Sequence, residues 1–307
     1  MIPALSMTHL RPRIITFTRR SDPAFFVESF RRALDAGFID VPNPFSGKLY
    51  RVSLLPEHII LMTLWTKNPS ALMPLVDELC ARGISCGLLV SVTGYPRSLE
   101  ADVPAPREIA QSLLKLSSKL SPDALVWRYD PIIFTGQMNS AWHLNNFSEL
   151  CSIWKGNTRR VIFSLAHIDG SYSTVRRSIE SACSLTGDHL MIPQSAHPDF
   201  ASVRKSAITL CANLASIARN SGIDDVGICC SPKLTEDEKQ IIPQSACLSR
   251  DWLSRIVPSL PQVRTRGTRK EHSLYAACSC LESVDIGING SCNHGCVYCY
   301  ANRNRNH

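Results

Sequence analysis

The sequence has no apolar stretch of membrane-spanning length. Its best run, "IILMTLW" over 59–65, falls far short of the ~20 residues a helix needs to cross a bilayer. The start, "MIPALSMTHLRPRIITF", has no basic segment leading into a long hydrophobic one, so no secretory leader is expected and the reading is a soluble cytoplasmic chain with no membrane contact. Low-complexity tracts are missing too, and charged residues are only 19% against 44% hydrophobic ones, a balance that excludes a disordered chain. There is no glycine-rich phosphate loop after a strand, no metalloprotease helix pattern and no Ser-His-Asp set, which removes the common nucleotide-binding and hydrolytic motifs. A net charge of +7 favours an anionic ligand and leaves nucleic acid open without indicating it.

What is present is an alternation. Over roughly the first 230 residues, β-rich apolar runs trade places with helix-period segments, as βα units around a parallel sheet do. Six strands are expected, in "RIITFTRR", "HIILMTLW", "SCGLLVSVTGY", "ALVWRYDPII", "RVIFSLAHI" and "IDDVGICC". Asp22 or Ser21 can cap a first helix with Pro23 in its first turn, Phe26, Phe30, Ala33 and Leu34 on one face, and Gly37 at its end. Further helices are expected from Pro69 towards Gly83, from Arg107 to Leu120, around Phe147, Leu150 and Trp154, and from Phe200 to Asn220. Residues 170–199 read as the least regular stretch. The fold class is therefore α/β: a partial, six-stranded parallel (β/α) barrel over residues 10–230, with a cysteine-rich C-terminal cap over 231–307, and an open doubly wound sheet as the alternative.

Thirteen cysteines cannot all form disulfides within one monomer. Cys80, Cys86, Cys151, Cys183 and Cys211 stand singly in apolar segments, where a thiol acts as a small buried hydrophobe. The other eight follow residue 228. Cys292, Cys296 and Cys299 have the spacing C-x3-C-x2-C in "CNHGCVYC". Three thiolates hold three irons of a 4Fe-4S cube and leave the fourth open, whereas a structural cluster or zinc site wants four ligands. Gly290 and Gly295 suit a loop that curls around a cluster. In the zinc reading His294 would be the fourth ligand. Cys230 (or its neighbour Cys229), Cys247, Cys278 and Cys280 are enough for a second, closed centre, a further 4Fe-4S cluster or a zinc ion, with buried free thiols as the alternative. Cys229 and Cys230 cannot both serve if they continue a strand, because adjacent side chains point to opposite faces.

Barrel chemistry gathers at the C-terminal ends of strands. These ends carry Arg19, Arg20 and Asp22; Thr66, Lys67 and Asn68; Thr93 and Tyr95; Arg128, Tyr129 and Asp130; and Ser164, His167 and Asp169. Arg20, Asp22, Lys67, Arg128 and Asp130 are expected in catalysis, and Thr93, Tyr95 and Ser164 in cofactor contact. The plainer alternative is an Arg-Asp network that closes the barrel top.

The C-x3-C-x2-C spacing with aromatic Tyr298 before the last cysteine resembles the signature of radical S-adenosylmethionine (SAM) enzymes. That resemblance implies a 4Fe-4S cluster on Cys292, Cys296 and Cys299, SAM chelated to the open iron, and Tyr298 packed beside the adenine. It also implies oxygen sensitivity, a small-molecule or peptide substrate, and electrons from a reductase, flavodoxin or ferredoxin. Most radical SAM enzymes place this loop after the first barrel strand; here it comes last, as in thiamine pyrimidine synthase. The whole chain resembles a bacterial family grouped as a domain of unknown function. The shared stretches are "TRRSDPAFF", "VPNPFSGKLYRVSLLPE", "LWTKNP", "VTGY", "VWRYDPI" and "ESVDIGINGSCNHGCVYCYAN". It departs from that family in lacking one residue between Asp22 and Pro23 and a glycine before Cys278. Two other functions stay in view: a zinc or structural iron-sulfur protein contacting nucleic acid, and a barrel hydrolase or lyase whose cluster is only structural.

Overall fold

The computed structural model describes residues 11–18, 21–43, 46–166, 168, 172–192, 197–229, 234–265 and 278–301. Arg19, Arg20, His167, Asp169 and Cys230, all singled out from the sequence, lie outside the described residues. The chain runs β1 (Arg13–Phe17), α1 (Val27–Ala36), β2 (Phe38–Pro42), β3 (Leu49–Ser53), β4 (Ile59–Thr66), α2 (Met73–Ala81), β5 (Cys86–Ser91), α3 (Pro106–Ser117), β6 (Leu125–Ile132), α4 (Ser140–Trp154), β7 (Arg160–Leu165), α5 (Ser173–Leu185), α6 (Phe200–Asn220), β8 (Asp225–Cys229), α7 (Glu236–Ile241), β9 (Gln244–Ser245), α8 (Arg250–Ile256) and β10 (Val284–Asp285).

Eight strands form one parallel sheet, a curled half-barrel in the order β10-β1-β4-β5-β6-β7-β8-β9. All six expected strands are in it, but the expected count of six is corrected to eight. The additions, β9 and β10, are two residues each and pair with β8 and β1 at the two edges. Two residues show no alternation in sequence; such strands form because an open sheet edge presents unpaired N–H and C=O groups. β2 and β3 make a separate antiparallel hairpin.

Both faces of the sheet are covered, which is why its strands read as nearly continuous apolar runs. Ile15, Phe17, Met62, Leu64, Trp127 and Phe163 pack outward with the helices. Ile14, Leu61, Leu89, Val126 and Ile162 face inward, against Leu248, Trp252 and Leu253 from the region of α8. Two residues further along each of these strands, the same inward face carries Thr16, Thr63, Ser91, Arg128 and Ser164. The interior is thus apolar at its floor and polar towards the C-terminal strand ends.

Helix starts follow their capping chemistry. Asp22 accepts the Ala24 N–H at 2.9 Å before a short 3-10 turn, Pro23–Phe25, that leads into α1. α6 matches its expected span. α5 corrects the irregular reading of 170–199: Val175, Ile179, Ala182 and Cys183 are buried at helical spacing, but the many serines and arginines between them mask the period. Cys86, Cys151, Cys183 and Cys211 are buried as expected, whereas Cys80 is exposed.

In α4, His143 is fully buried, with Nδ1 2.7 Å from the Tyr129 hydroxyl and Nε2 3.0 Å from the Ile133 carbonyl. Burial lowers its pKa to about 4, against the opposing pull of that carbonyl. The unfolded histidine, near its usual ~6.5, takes a proton first as the pH falls. The resulting stability is therefore full above that value and lost on descent towards the folded pKa, amounting to about 2–3 kcal/mol between pH 7 and pH 4.5. Urea unfolding at these two pH values should show a His143→Gln variant losing that much less than wild type on acidification. Equal losses would refute the assignment.

Candidate functional site

The C-terminal segment folds back over the polar strand ends. At the end of β10, Asp285 anchors it: Oδ2 accepts the Thr18 hydroxyl at 2.7 Å and Oδ1 the Gly287 N–H at 3.0 Å. The Ile286 and Ile288 N–H groups then reach the Thr16 carbonyl and Ser21 Oγ at 2.9 and 3.2 Å. The loop turns at Gly290 and Gly295, with φ of 73° and 67°, backbone angles that glycine adopts without strain. Cys296 bridges antiparallel to Glu100, and the Val297 N–H donates to the Leu99 carbonyl at 2.9 Å.

Two buried polar groups lock this loop. Asp22 uses both oxygens on the chain itself: Oδ2 accepts the Lys67 N–H at 2.7 Å and lies 2.7 Å from His294 Nε2, while Oδ1 caps Ala24. Glu100, 3% exposed, receives Lys67 Nζ at 2.8 Å and the Thr93 hydroxyl at 2.6 Å, and also accepts from the Tyr298 hydroxyl. Burial works against the Glu100 charge, yet Lys67 and these hydroxyls hold its pKa below the ordinary value. Lys67 is likewise opposed by burial, and Glu100, with Cys296 and Asp22, carries its pKa above the ordinary value. Burial pushes the Cys296 thiol up to about 12, with Lys67 opposing.

Beneath the loop lies a cavity of about 300 Å³. Cys292, Cys296, Cys299 and Tyr298 line it from the loop; Lys67, Arg128, Asp130 and Ser164 line it from the strands. Arg128 pairs with Asp130, which also accepts from the Ser164 hydroxyl, and the Arg128 guanidinium lies 4.2 Å over the Trp65 ring. Asp22 and His294 reach the same cavity.

The structure thus gathers Asp22, Lys67, Arg128, Asp130, Ser164, Tyr298 and the cysteine triplet around one space. Thr93 stands behind Glu100, and the Tyr95 hydroxyl is spent on the Pro131 carbonyl and the Ile133 N–H at 2.7 and 2.9 Å. Of the second cysteine group, Cys230 lies outside the described residues; among those described, the thiols of its neighbour Cys229, of Cys247 and of Cys280 all lie within 4.8 Å of one another. Alternation accounts for this, since Cys229 shares the inner face with Asp225 and Gly227, paired to Arg160 and Ile162. Reading strand ends missed Glu100, Asp285 and Arg160. The first two sit in aperiodic loops or a two-residue strand, and Arg160 opens its strand at the opposite end; an acid shortly after β5 was the one available signal for Glu100.

No curated protein matches the chain. Among solved structures, it is similar to a GH20 catalytic module of the pneumococcal exo-β-D-N-acetylglucosaminidase StrH, at 11% identity and a TM-score of 0.31, over 80% of this chain and 63% of that one. The chain therefore spans less than two thirds of that module. It is also similar to the catalytic domain of a mannanase from Streptomyces sp. SirexAA-E, at 8% identity and a TM-score of 0.27, over 84% and 81%. Likenesses this distant say nothing about chemistry. The family match does cover the site: "Domain of unknown function (DUF1848)" matches residues 14–301, from the first inward residue of β1 through the cysteine triplet, and the chain belongs to that family.

Proposed function

We propose that this chain is a radical SAM enzyme whose 4Fe-4S cluster is held by Cys292, Cys296 and Cys299, with SAM and substrate in the cavity beneath. The observation that carries the reading is the donor set. Three partly exposed thiols line one cavity, and the loop's histidine is already engaged at both nitrogens, on Asp22 and on the Asp102 carbonyl at 3.2 Å. Among the described residues, the group drawn in to single-ion spacing is the other one, Cys229, Cys247 and Cys280. A triplet with wider spacing that, among the described residues, has no fourth thiol beside it suits a cube with an open iron better than a zinc knuckle.

When bound, the cluster supplies the electron that cleaves a SAM C–S bond and starts radical chemistry. The chain's own residues prepare the space. Lys67 and Glu100 fix Tyr298 at the cavity wall, where its ring would pack beside the adenine of SAM. Asp22 and His294 hold the segment between Cys292 and Cys296. Arg128, stacked on Trp65, is a fixed cation for a carboxylate of SAM or of a small-molecule or peptide substrate. The loop lies over the strand ends and covers part of the cavity. A reductase, flavodoxin or ferredoxin would deliver the electron.

Electron paramagnetic resonance on anaerobically reconstituted, dithionite-reduced protein tests this. The expected result is a reduced-cluster signal that changes when SAM is added and is lost in a Cys292→Ala/Cys296→Ala/Cys299→Ala variant. A signal indifferent to SAM would sink the proposal.

A further inference from the structure

The floor of the same cavity contains a second group of thiols that the proposed chemistry leaves unused. Cys229 ends β8, Cys247 follows β9, and Cys278 and Cys280 arrive from the tail just before β10. All four are buried, between 3 and 7% exposed. Cys229, Cys247 and Cys280 have Sγ atoms within 4.8 Å of one another, Cys229 and Cys247 at 3.0 Å, and Cys278 hydrogen-bonds with Cys280. The Leu248 N–H donates to Cys280 Sγ at 3.4 Å, as backbone amides do towards a thiolate.

We infer that Cys229, Cys247, Cys278 and Cys280 form a closed, four-thiolate site for a single thiophilic divalent cation of the zinc class, a centre separate from the triplet. Spacing decides the class. Four thiolates around one tetrahedral ion at ~2.3 Å lie about 3.8 Å apart. A 4Fe-4S cube seats each thiolate on its own iron at a separate corner and spreads the ligands wider than Cys229, Cys247 and Cys280 stand, with Cys278 joined to that trio through Cys280. The three segments are joined by the β8–β9 pairing and by the Leu281 N–H donating to the Leu248 carbonyl at 2.9 Å, and a shared ion would staple them further.

The surroundings are built for the charge. Four thiolates on one divalent ion leave two negative charges, and Arg128 and Arg160 both stand within Coulombic reach of Cys247. Arg160 also positions the ligand segment: its guanidinium donates to Ser249 Oγ at 2.7 Å, Ser245 Oγ at 3.0 Å and the Ala246 carbonyl at 2.6 Å. Cys229 and Cys247 line the cavity that the triplet caps. The ion would therefore wall the substrate space while tying the tail to the barrel interior.

The test removes the triplet, so it stands apart from the radical SAM reading. Zinc, iron and acid-labile sulfide are measured per chain on anaerobically purified Cys292→Ala/Cys296→Ala/Cys299→Ala protein. About one zinc per chain is expected, with no sulfide. Adding Cys278→Ser/Cys280→Ser in that background should abolish the zinc. Because those serines could unfold the chain, cobalt(II) is also loaded into the triplet variant alone, where visible bands of a tetrahedral thiolate site are expected. Iron with stoichiometric sulfide would overturn the single-ion assignment. Metal-free protein with four free thiols, or with a Cys229–Cys247 disulfide by mass spectrometry after alkylation, would overturn the site altogether.

Discussion

Replacing Glu100 by glutamine should destabilise the protein by about 3–5 kcal/mol, because it leaves the Lys67 ammonium buried without its counter-charge. The Lys67 side chain is 12% exposed and that of Glu100 3%, so water compensates little. The same carboxylate gathers Thr93 and Tyr298, and Tyr298 lies between two of the triplet cysteines. The loss should therefore reach the cap as well as the global stability. A Lys67→Met/Glu100→Gln double variant removes both charges at once and should cost well below the sum of the two single changes. Urea unfolding of the four proteins measures this. Single-variant costs that add to within ~0.5 kcal/mol would show that the pair is not coupled.

Truncating Trp252 to alanine should cost a similar amount, about 3–5 kcal/mol, through the cavity it opens in the barrel floor. The indole is fully buried, donates to the Asp123 carbonyl at 2.6 Å and lies beneath the Arg160 guanidinium. Gly87 makes room for it: a Cβ there would stand 2.9 Å from Trp252 Cζ2, closer than packed carbon atoms approach. Gly87→Ala should thus destabilise wild type but cost much less in a Trp252→Leu background. An equal cost in both backgrounds, read from unfolding curves, would mean that β5 carries glycine for some other reason.

The layout of the site was partly legible before any coordinates. Asp22, Lys67, Arg128, Asp130 and Ser164 could be placed near strand ends because each nearly continuous apolar run stops where polar residues begin. The inner row from Ile14 to Thr16, or from Val126 to Arg128, shows where the apolar floor gives way to a polar rim. Their roles were less legible. Asp22, expected in catalysis, spends both oxygens capping a turn and holding His294. Thr93 and Tyr95, expected at a cofactor, support the wall behind it. Glu100, at the centre of the cap's ion network, lies in "PRSLEADVP", where no period exists to mark it. α5 was hidden because the serines and arginines among its buried residues mask the helical period.

The sequence by itself determined whatever is local: six apolar strands, most of the helices with their caps, and three cysteines within eight residues at "CNHGCVYC". Such features depend on neighbours a few bonds away, so spacing alone records them. The tertiary structure decided which distant residues meet. Lys67, Glu100 and Tyr298 share one ion network, Asp22 takes His294 across 272 positions, and Cys229 joins Cys247 and Cys280. Those meetings follow from the curl of an eight-stranded sheet, with tail strands added at both edges. Nothing in the order of residues along one strand states how far the sheet bends, or which loop its open ends will receive.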